Sequence, residues 1–160
     1  MHYYNALAEG YNKLYGEEQL NKLLVIKENI KVNKNAKILD VGCGTGISSN
    51  FGCFTVGVDI SIELLKQNKN KIKLLSAAEN LPFKDRAFDY VISVTALHNF
   101  KDMKKSLSEI KRVSSSNFVF SVFKKSKKFS FIENLIRKNF KIDKIIDEGK
   151  DVIFFCKKCD

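Results

Sequence analysis

A glycine-rich turn directly after a short apolar run carries the clearest chemical signal in this sequence. Gly42, Gly44 and Gly46 follow the run Ala36–Val41, and Asp40 stands two positions before the first glycine. Glycines in such a turn allow positive φ and let a ligand lie against bare backbone. The Gly-x-Gly-x-Gly spacing is not the Gly-x-Gly-x-x-Gly that seats a pyrophosphate, no Gly-Lys-Ser/Thr follows, and Asp40 would repel a diphosphate. The turn therefore favours a cationic ligand, such as a sulfonium with an α-ammonium group.

A second acidic residue is placed to bind the sugar of the same ligand. Asp59 ends the apolar run Thr55–Val58 and lies 17 positions beyond Gly42 (59 − 42). A carboxylate about 20 residues after such a turn binds ribose hydroxyls in nucleotide-binding α/β folds. An acid at a strand end also serves as a turn residue or helix cap, but its combination with the glycine turn favours the ribose role.

The elements that must position these residues alternate regularly along the chain. Apolar runs predict strands, and helical periodicity with capping residues predicts helices. The predicted strands cover 36–41, 55–58, 72–75, 88–94, 117–123, 140–146 and 151–156, and the predicted helices cover 20–30, a short stretch from 61, 102–112 and 129–139. Glu148, Gly149 and Lys150 predict a hairpin between the last two strands. This order predicts an open, mostly parallel α/β sheet with one antiparallel strand near its end.

The buried sides of two helices can also be predicted from the spacing of apolar residues. In the first helix, Leu20, Leu23 and Leu24 share one side with Lys27. In the helix that begins at 61, two adjacent leucines, at 64 and 65, are expected on the buried side, and Ser61 is expected as the N-cap.

Length and composition predict one domain, with a helical cap at 1–33 and an α/β core at 36–160. No apolar run approaches the ~20 residues of a membrane span, and the polar N-terminus has no signal-peptide core. Four cysteines without a secretory signal predict reduced thiols and a cytoplasmic protein. Cys156 and Cys159 have the spacing of half a zinc site, but structural zinc takes four ligands, so we expect no metal.

The net charge of +10 predicts attraction to polyanions. Arginine is the better marker of specific phosphate and base contacts, and only Arg86, Arg112 and Arg137 are present. Lys124, Lys125, Lys127 and Lys128 follow the fifth strand and should lie on the ligand-binding edge, where they could contact RNA phosphates. A solvated loop is the alternative for this run, and a small molecule is the alternative substrate.

Four motifs in order resemble the class I S-adenosylmethionine-dependent methyltransferases, in particular the methyltransferase type 11 group. They are Leu39–Gly46, Gly57–Ser61, Ala78–Phe83 and Phe88–Ser93. The resemblance implies a Rossmann-like, seven-stranded, mostly parallel sheet with helices on both faces. It also implies S-adenosylmethionine as cofactor and S-adenosylhomocysteine as product.

The resemblance assigns cofactor contacts to residues along these motifs. Asp40 and the turn would surround the methionine part, Asp59 would hold the ribose, and an N-terminal tyrosine stretch could close over the cofactor. The implied cofactor residues are Asp40, Gly42, Cys43, Gly44, Gly46, Asp59, Ile60, Ala78, Glu79, Thr95 and Tyr11. Tyr4 belongs to the same stretch, although Asn5 and Asn12 replace the acids usual there. Helix packing is the alternative role of these tyrosines.

Two departures from the family pattern bear on function. Ala77 stands where the family usually has an Asp that accepts a bond from the adenine amino group, and losing one neutral hydrogen bond costs about 1 kcal/mol. Only Ile47–Phe54 separates Gly46 from the next strand, where the family commonly has a helix of three turns. The short segment predicts thin cover on one side of the sheet, which favours a partner or activator subunit. A non-catalytic cofactor-binding protein is a further alternative.

His98 is the candidate general base, because it follows the fourth strand, where the family places the transferable methyl group. A neutral nitrogen or hydroxyl acceptor has to lose a proton during transfer. The alternative is a loop histidine that only shapes the pocket. The segment Val94–Phe100 lacks the Asn/Asp-Pro-Pro-Tyr of amino-directed nucleic-acid methyltransferases, which argues against modification of an exocyclic amine by that mechanism.

Overall fold

The computed structural model describes the backbone of residues 2–159 and the side chains of residues 13–159. The elements follow the order predicted from the sequence, and most boundaries differ by a few residues. They are α1 (His2–Asn29), β1 (Lys37–Val41), β2 (Phe54–Asp59), α2 (Ile62–Gln67), β3 (Lys73–Leu75), β4 (Phe88–Val94), α3 (Met103–Val113), β5 (Ser114–Phe123), α4 (Phe129–Asn139), β6 (Phe140–Asp147) and β7 (Asp151–Lys158). The first helix is much longer than the 20–30 predicted from periodicity.

The seven strands form one sheet in the order β3-β2-β1-β4-β5-β7-β6. All neighbouring pairs are parallel except those of β7, which runs antiparallel to both β5 and β6. The predicted Rossmann-like sheet with a C-terminal antiparallel strand is therefore confirmed. The chain leaves β1 toward β2 on one side and returns to β4 on the other. A crevice opens at such a switch point, beyond the carboxyl ends of the strands.

Helices cover both faces of the sheet, as predicted. One face carries large apolar side chains of the strands, among them Leu39, Val91 and Phe118, which pack against α3 and α4. The opposite face carries Ile38 and Ile92, which pack with residues of α1. Because side chains alternate along a strand, adjacent residues of β1 and β4 supply the two cores.

The predicted buried side of α1 is wrong in part. Leu23 is buried, but Leu20 and Leu24 are 48% and 57% exposed. Lys22 is buried instead, and its Nζ lies 3.1 Å from Oδ1 of Asp151 at the start of β7. A buried lysine needs a partner of opposite charge, and periodicity alone cannot reveal a partner so far along the chain.

The helix α2 is capped as predicted, because Ser61 accepts a hydrogen bond from the backbone N–H of Leu64. Its buried side is narrower than predicted: Leu65 is buried, whereas Leu64 is 38% exposed. Leu64 contributes instead to the wall of the cavity described below.

The connection between β1 and β2 contains turns and bends but no helix, as its length predicted. Beyond β2, the sheet ends with the short strand β3. Several large apolar side chains of this region are more than a third exposed: Phe54, Ile62, Ile72, Leu74 and Leu75. An exposed apolar edge of this kind is typical of a surface that meets another chain.

The sequence predicted neither a membrane-spanning helix nor a metal site. Within residues 2–159, no helix is both long and apolar enough to cross a bilayer. Among the side chains of residues 13–159, no three His, Cys, Asp or Glu come together as ligands for a metal ion.

Candidate functional site

A cavity of about 480 Å³ opens at the carboxyl ends of β1, β2 and β4. We call it the central cavity. Its lining residues come from the glycine turn, the end of β2, the loop after β3, the loop after β4 and α1: Tyr15, Val41, Gly42, Gly44, Asp59, Ile60, Ser61, Leu64, Ser76, Ala77, Ala78, Glu79, Val94, Thr95, Ala96, Asn99, Phe100 and Lys101. The cavity lies where the sequence predicted the ligand, and its volume suits one nucleoside-sized molecule.

The glycine turn presents bare backbone to the central cavity. Gly42 and Cys43 both donate a backbone hydrogen bond to the carbonyl of Val58, at 2.8 and 3.0 Å. Gly42 has φ +78°, and a Cβ added to it would lie 2.5 Å from Cβ of Ala96. Any side chain at Gly42 would therefore clash with the loop after β4. The turn needs glycine here for both its conformation and its close approach.

Asp40 lies at the end of β1 and is 1% exposed. Its Oδ2 accepts a hydrogen bond from Ser49, and its Oδ1 has no hydrogen-bond partner among the described residues. Burial raises the pKa of Asp40 to about 7, against the lowering effect of the Ser49 hydroxyl. Asp40 is not among the residues that line the central cavity, so the structure places it beneath the turn rather than in the cavity wall.

Asp59 ends β2 at the wall of the central cavity. One carboxylate oxygen accepts the backbone N–H of Gly44 at 2.8 Å, and the other accepts that of Ser61 at 2.9 Å. These bonds hold the carboxylate between the glycine turn and the start of α2. A carboxylate offers about four acceptor positions, so about two remain for hydroxyl groups of a ligand.

Two further residues of the motif lie outside the central cavity wall. The thiol of Cys43 packs toward Gly57, where an added Cβ would be 2.7 Å from Sγ, and it accepts a bond from Asn68. Burial, followed by the charges of nearby carboxylates, raises the pKa of Cys43 to about 12. Gly46 lines a neighbouring, more open cavity instead. Both residues shape the turn rather than the surface of the central cavity.

Three apolar residues after β2 and β3 line one part of the central cavity. Ile60 is 69% exposed and lines the cavity together with Ala77 and Ala78. Glu79 also lines it, but its Oε1 accepts the backbone N–H of Asp102 at 2.9 Å. Burial tends to raise the pKa of Glu79, and the combined hydrogen bonds to its carboxylate outweigh burial and lower it. Glu79 thus ties the loop after β3 to the start of α3.

Thr95 has an unusual conformation at the end of β4. Its φ is +53°, which is rare for a β-branched residue. Its Oγ1 donates to Oδ2 of Asp151 at 2.7 Å and accepts from Nζ of Lys22 at 3.1 Å. Ser121 bonds the same carboxylate oxygen, and its carbonyl accepts the backbone N–H of Thr95. This buried network, made of Lys22, Thr95, Ser121 and Asp151, holds the strained residue in the wall of the central cavity.

His98 lies outside the central cavity, in the short 3₁₀ helix Leu97–Asn99. It lines a neighbouring cavity of about 290 Å³, which we call the side cavity. Burial and then the positive charge of Lys128 lower the pKa of His98, and the carboxylate of Asp151 offsets part of this effect. The imidazole is therefore neutral near pH 7 and can accept a proton.

Tyr15 is a site residue that the sequence analysis missed. It lies four positions after Tyr11 on α1 and lines both the central and the side cavity. The side chain of Tyr11, and that of Tyr4, lie outside the described side chains. The regular placement of aromatic residues on one helix could have suggested Tyr15, because residues four apart share a helix face.

The lysine run after β5 does not form a uniform basic surface. Lys124 pairs with Asp147 at 2.7 Å, and Nζ of Lys128 donates to the carbonyl of His98 at 2.9 Å. Lys125 and Lys127 are exposed. Two of the four lysines thus support the local structure beside the side cavity, and the other two face solvent.

The C-terminal cysteine pair shows no sign of a metal site. Cys156 is buried in β7, and Cys159 is exposed. Burial, followed by nearby acidic groups, raises the pKa of Cys156 to about 12, which disfavours the thiolate form that binds metal.

Comparisons with known proteins point to one family. The model of a methyltransferase domain matches residues 39–121. An uncharacterised protein of Methanocaldococcus jannaschii is 37% identical over 148 residues, which cover 87% of this chain and 57% of that protein. The tRNA (carboxymethyluridine(34)-5-O)-methyltransferase of Arabidopsis thaliana is 39% identical over 83 residues, 48% of this chain and 20% of that enzyme. The chain spans less than three fifths of the length of these relatives.

Solved structures share the fold at low sequence identity. A S-adenosylmethionine-dependent methyltransferase from Thermotoga maritima, named as a possible histamine N-methyltransferase, superposes with a TM-score of 0.77, 19% identity and 99% coverage of both chains. A methyltransferase solved in complex with the Trm112 activator of Haloferax volcanii gives a TM-score of 0.75, 15% identity and 94% coverage of both chains.

Substituting Gly42 tests the close approach of the turn to the loop after β4. We expect Gly42→Ala to lower the free energy of unfolding by about 1–3 kcal/mol more than Gly52→Ala. Gly52 is a matched control, because it has a similar φ of +71° but nothing within 4 Å of an added Cβ. Urea denaturation of both variants measures the difference. Equal losses of unfolding free energy in the two variants would show that a methyl group at position 42 does not clash with Ala96.

Proposed function

The chain belongs to the class I S-adenosylmethionine-dependent methyltransferases, and we propose that it holds S-adenosylmethionine in the central cavity and transfers its methyl group. The observation that carries this proposal is the turn at Gly42, which exposes bare backbone beside the carboxylate of Asp59. A nucleoside ligand can lie against such a backbone and bond its hydroxyls to such an acid.

The residues present fit this cofactor on three counts. Asp40 keeps one buried carboxylate oxygen without a partner among the described residues, and a nearby cationic ligand favours an ionised carboxylate. Asp59 retains about two acceptor positions. The cavity of about 480 Å³ lies within the range of small-molecule sites. We assign the methionine end to Gly42 and Gly44, the ribose to Asp59, and the adenine to Ile60 and Ala78.

When bound, S-adenosylmethionine would supply an electrophilic methyl group for transfer to a nucleophilic acceptor. The protein contributes chiefly alignment, which can account for about 7–11 kcal/mol of a barrier. Tyr15 and Thr95 line both cavities and would set the approach of the acceptor. The neutral imidazole of His98 can take the proton that an uncharged acceptor loses.

Incubation with radiolabelled methyl donor and cellular extracts, in separate RNA and small-molecule fractions, tests the proposal. We expect label to pass to one fraction. Asp59→Asn should weaken calorimetric binding of S-adenosylhomocysteine by about ten- to a hundredfold, since hydrogen bonds to a charged group contribute about 1.5–3 kcal/mol each. The control is Asp89→Asn, whose carboxylate also accepts a backbone N–H but lies near the amino end of β4, away from the central cavity.

Binding without transfer to either fraction would indicate a cofactor-binding protein rather than an enzyme. An affinity that Asp59→Asn leaves unchanged would contradict the assigned ribose contact.

For the acceptor we propose RNA. The net charge of +10 favours a polyanion, and the exposed Lys125 and Lys127 closely follow Phe123, which lines the side cavity. The Arabidopsis relative acts, by its name, on a tRNA uridine. Other relatives are named for small acceptors, including demethylmenaquinone, so a small molecule is the alternative.

Salt dependence separates the two substrate classes. We expect affinity for total tRNA to fall with salt, and the double variant Lys125→Ala/Lys127→Ala to reduce the slope of log K against log salt by about 1–2, because each phosphate contact contributes close to one unit. Lys31→Ala/Lys34→Ala is the control, since both lysines are exposed and precede β1, at the amino ends of the strands. Equal effects of the two double variants would indicate only nonspecific attraction.

We also propose a protein partner on the exposed edge formed by β3 and its neighbours. Leu74 and Leu75 of β3 are exposed, and the segment between β1 and β2 forms no helix. A neighbour with the same fold was solved with an activator subunit, which supports this proposal.

A further inference from the structure

The side cavity adjoins the central cavity and differs from it in character. Tyr15 and Thr95 belong to the walls of both. The remaining residues that line the side cavity are Leu14, Glu18, Gln19, Lys22, His98, Phe123, Lys150 and Asp151. It thus combines two aromatic walls with four charged side chains in a volume of about 290 Å³, which has room for a single ring rather than an extended chain.

The four charges of the side cavity are arranged in two balanced pairs. Lys22 and Asp151 form a pair that is almost fully buried, with side-chain exposures of 3% and 0%. Lys150 and Glu18 form a second, partly exposed pair, joined by a hydrogen bond. His98 adds no charge near pH 7, since burial and Lys128 lower its pKa. The wall of the cavity therefore carries no net charge.

A balanced wall discriminates against charged ligands. An ion that enters the cavity loses water, and every charge in the wall already has its counter-ion. An uncharged ring loses less hydration, can stack on Tyr15 or Phe123, and can exchange hydrogen bonds with Gln19 or His98.

We infer that the side cavity receives the methyl acceptor and selects an uncharged, ring-sized group. The inference rests on the proposed function, because it needs the methyl donor in the central cavity. It deepens that function by naming the acceptor chemistry: the reacting group is a neutral ring, either a base turned out of RNA or a free small molecule. Any phosphates of an RNA acceptor stay outside, near Lys125 and Lys127.

The buried network positions the boundary between the two cavities. Lys22 belongs to the same helix as Tyr15, and Asp151 holds Thr95 in its left-handed conformation through a bond of 2.7 Å. Holding such a residue costs about 1–3 kcal/mol of strain, so the structure must fix it firmly. Lys22 and Asp151 are therefore positioning residues, which set Tyr15 and Thr95 between donor and acceptor.

Saturation-transfer NMR tests the selectivity with three ring probes of similar size: phenol, benzoate and benzylamine. The chain is first saturated with S-adenosylhomocysteine, so that the central cavity is filled. We expect phenol to bind at least about fivefold more tightly than either charged probe. Equal binding of the three, tighter binding of a charged probe, or no binding by any of them would overturn the inference.

Variants that remove one charge from the wall of the side cavity show whether its charge balance causes the preference for an uncharged ring. Lys150→Met leaves Glu18 unpaired and should favour benzylamine over phenol by about fivefold relative to wild type, the effect of a partly exposed pair of about 1 kcal/mol. Glu18→Gln should favour benzoate in the same way. The control is Lys157→Met, which breaks the exposed pair with Asp143 away from the cavity. A change in the control as large as in Lys150→Met would contradict the inference.

The same samples separate this inference from the proposed function. Failure of S-adenosylhomocysteine to bind contradicts the proposed function before any probe is added. Binding of S-adenosylhomocysteine with unselective probes contradicts the inference alone. Where phenol binds selectively, displacement of phenol by short single-stranded oligonucleotides identifies the ring as a base of RNA, and phenol binding that the oligonucleotides leave unchanged identifies a free small molecule.

Discussion

The close approach of bare main chain at Gly42 is the constraint on which the rest of the site depends. Two consecutive amides of the turn bond one carbonyl, that of Val58, so the end of β1 is tied to the end of β2. The loop after β4 lies so close that a single Cβ at Gly42 would reach Ala96. Only glycine permits this packing, which brings Asp59 to the wall of the central cavity and places the loop after β4 opposite it.

A second constraint holds the other side of the central cavity. The buried pair of Lys22 and Asp151 joins α1 to the start of β7, and Thr95 completes it. Removing one member of such a pair leaves an uncompensated buried charge, at a cost of about 3–5 kcal/mol. Attaching α1 through this network therefore requires that both buried charges stay paired. Its location at the boundary of two cavities suits a role in alignment, where small displacements strongly affect transfer.

Much of the fold could be predicted because the strands carry strong local signals. The near-continuous apolar run of β4 and the hairpin at Gly149 each depend only on neighbouring residues. The buried side of α1 could not be predicted in the same way. Lysine is a residue type usually found at exposed positions. The burial of Lys22 depends on its pairing with Asp151 in β7.

The candidate site was predictable to a similar extent. The motif residues Gly42, Gly44 and Asp59 line the central cavity, because strand ends and turns fix their position. Asp40 lies beneath the turn and Cys43 packs on Gly57. Side-chain alternation and packing set these two positions, and the spacing of the motif does not reveal them. His98 lies in the 3₁₀ helix after β4 and lines the side cavity instead of the central one. Tyr15 escaped notice because no motif includes it.

A crystal structure of the chain with S-adenosylhomocysteine tests the central claim most directly. The account predicts that the ribose hydroxyls bond the carboxylate of Asp59 at 2.6–3.0 Å, the usual range for such a bond, with the amino acid portion against the backbone of Gly42 and Gly44. A ligand bound elsewhere, with the central cavity closed by side chains and Asp59 bonded only to Gly44 and Ser61, would contradict it.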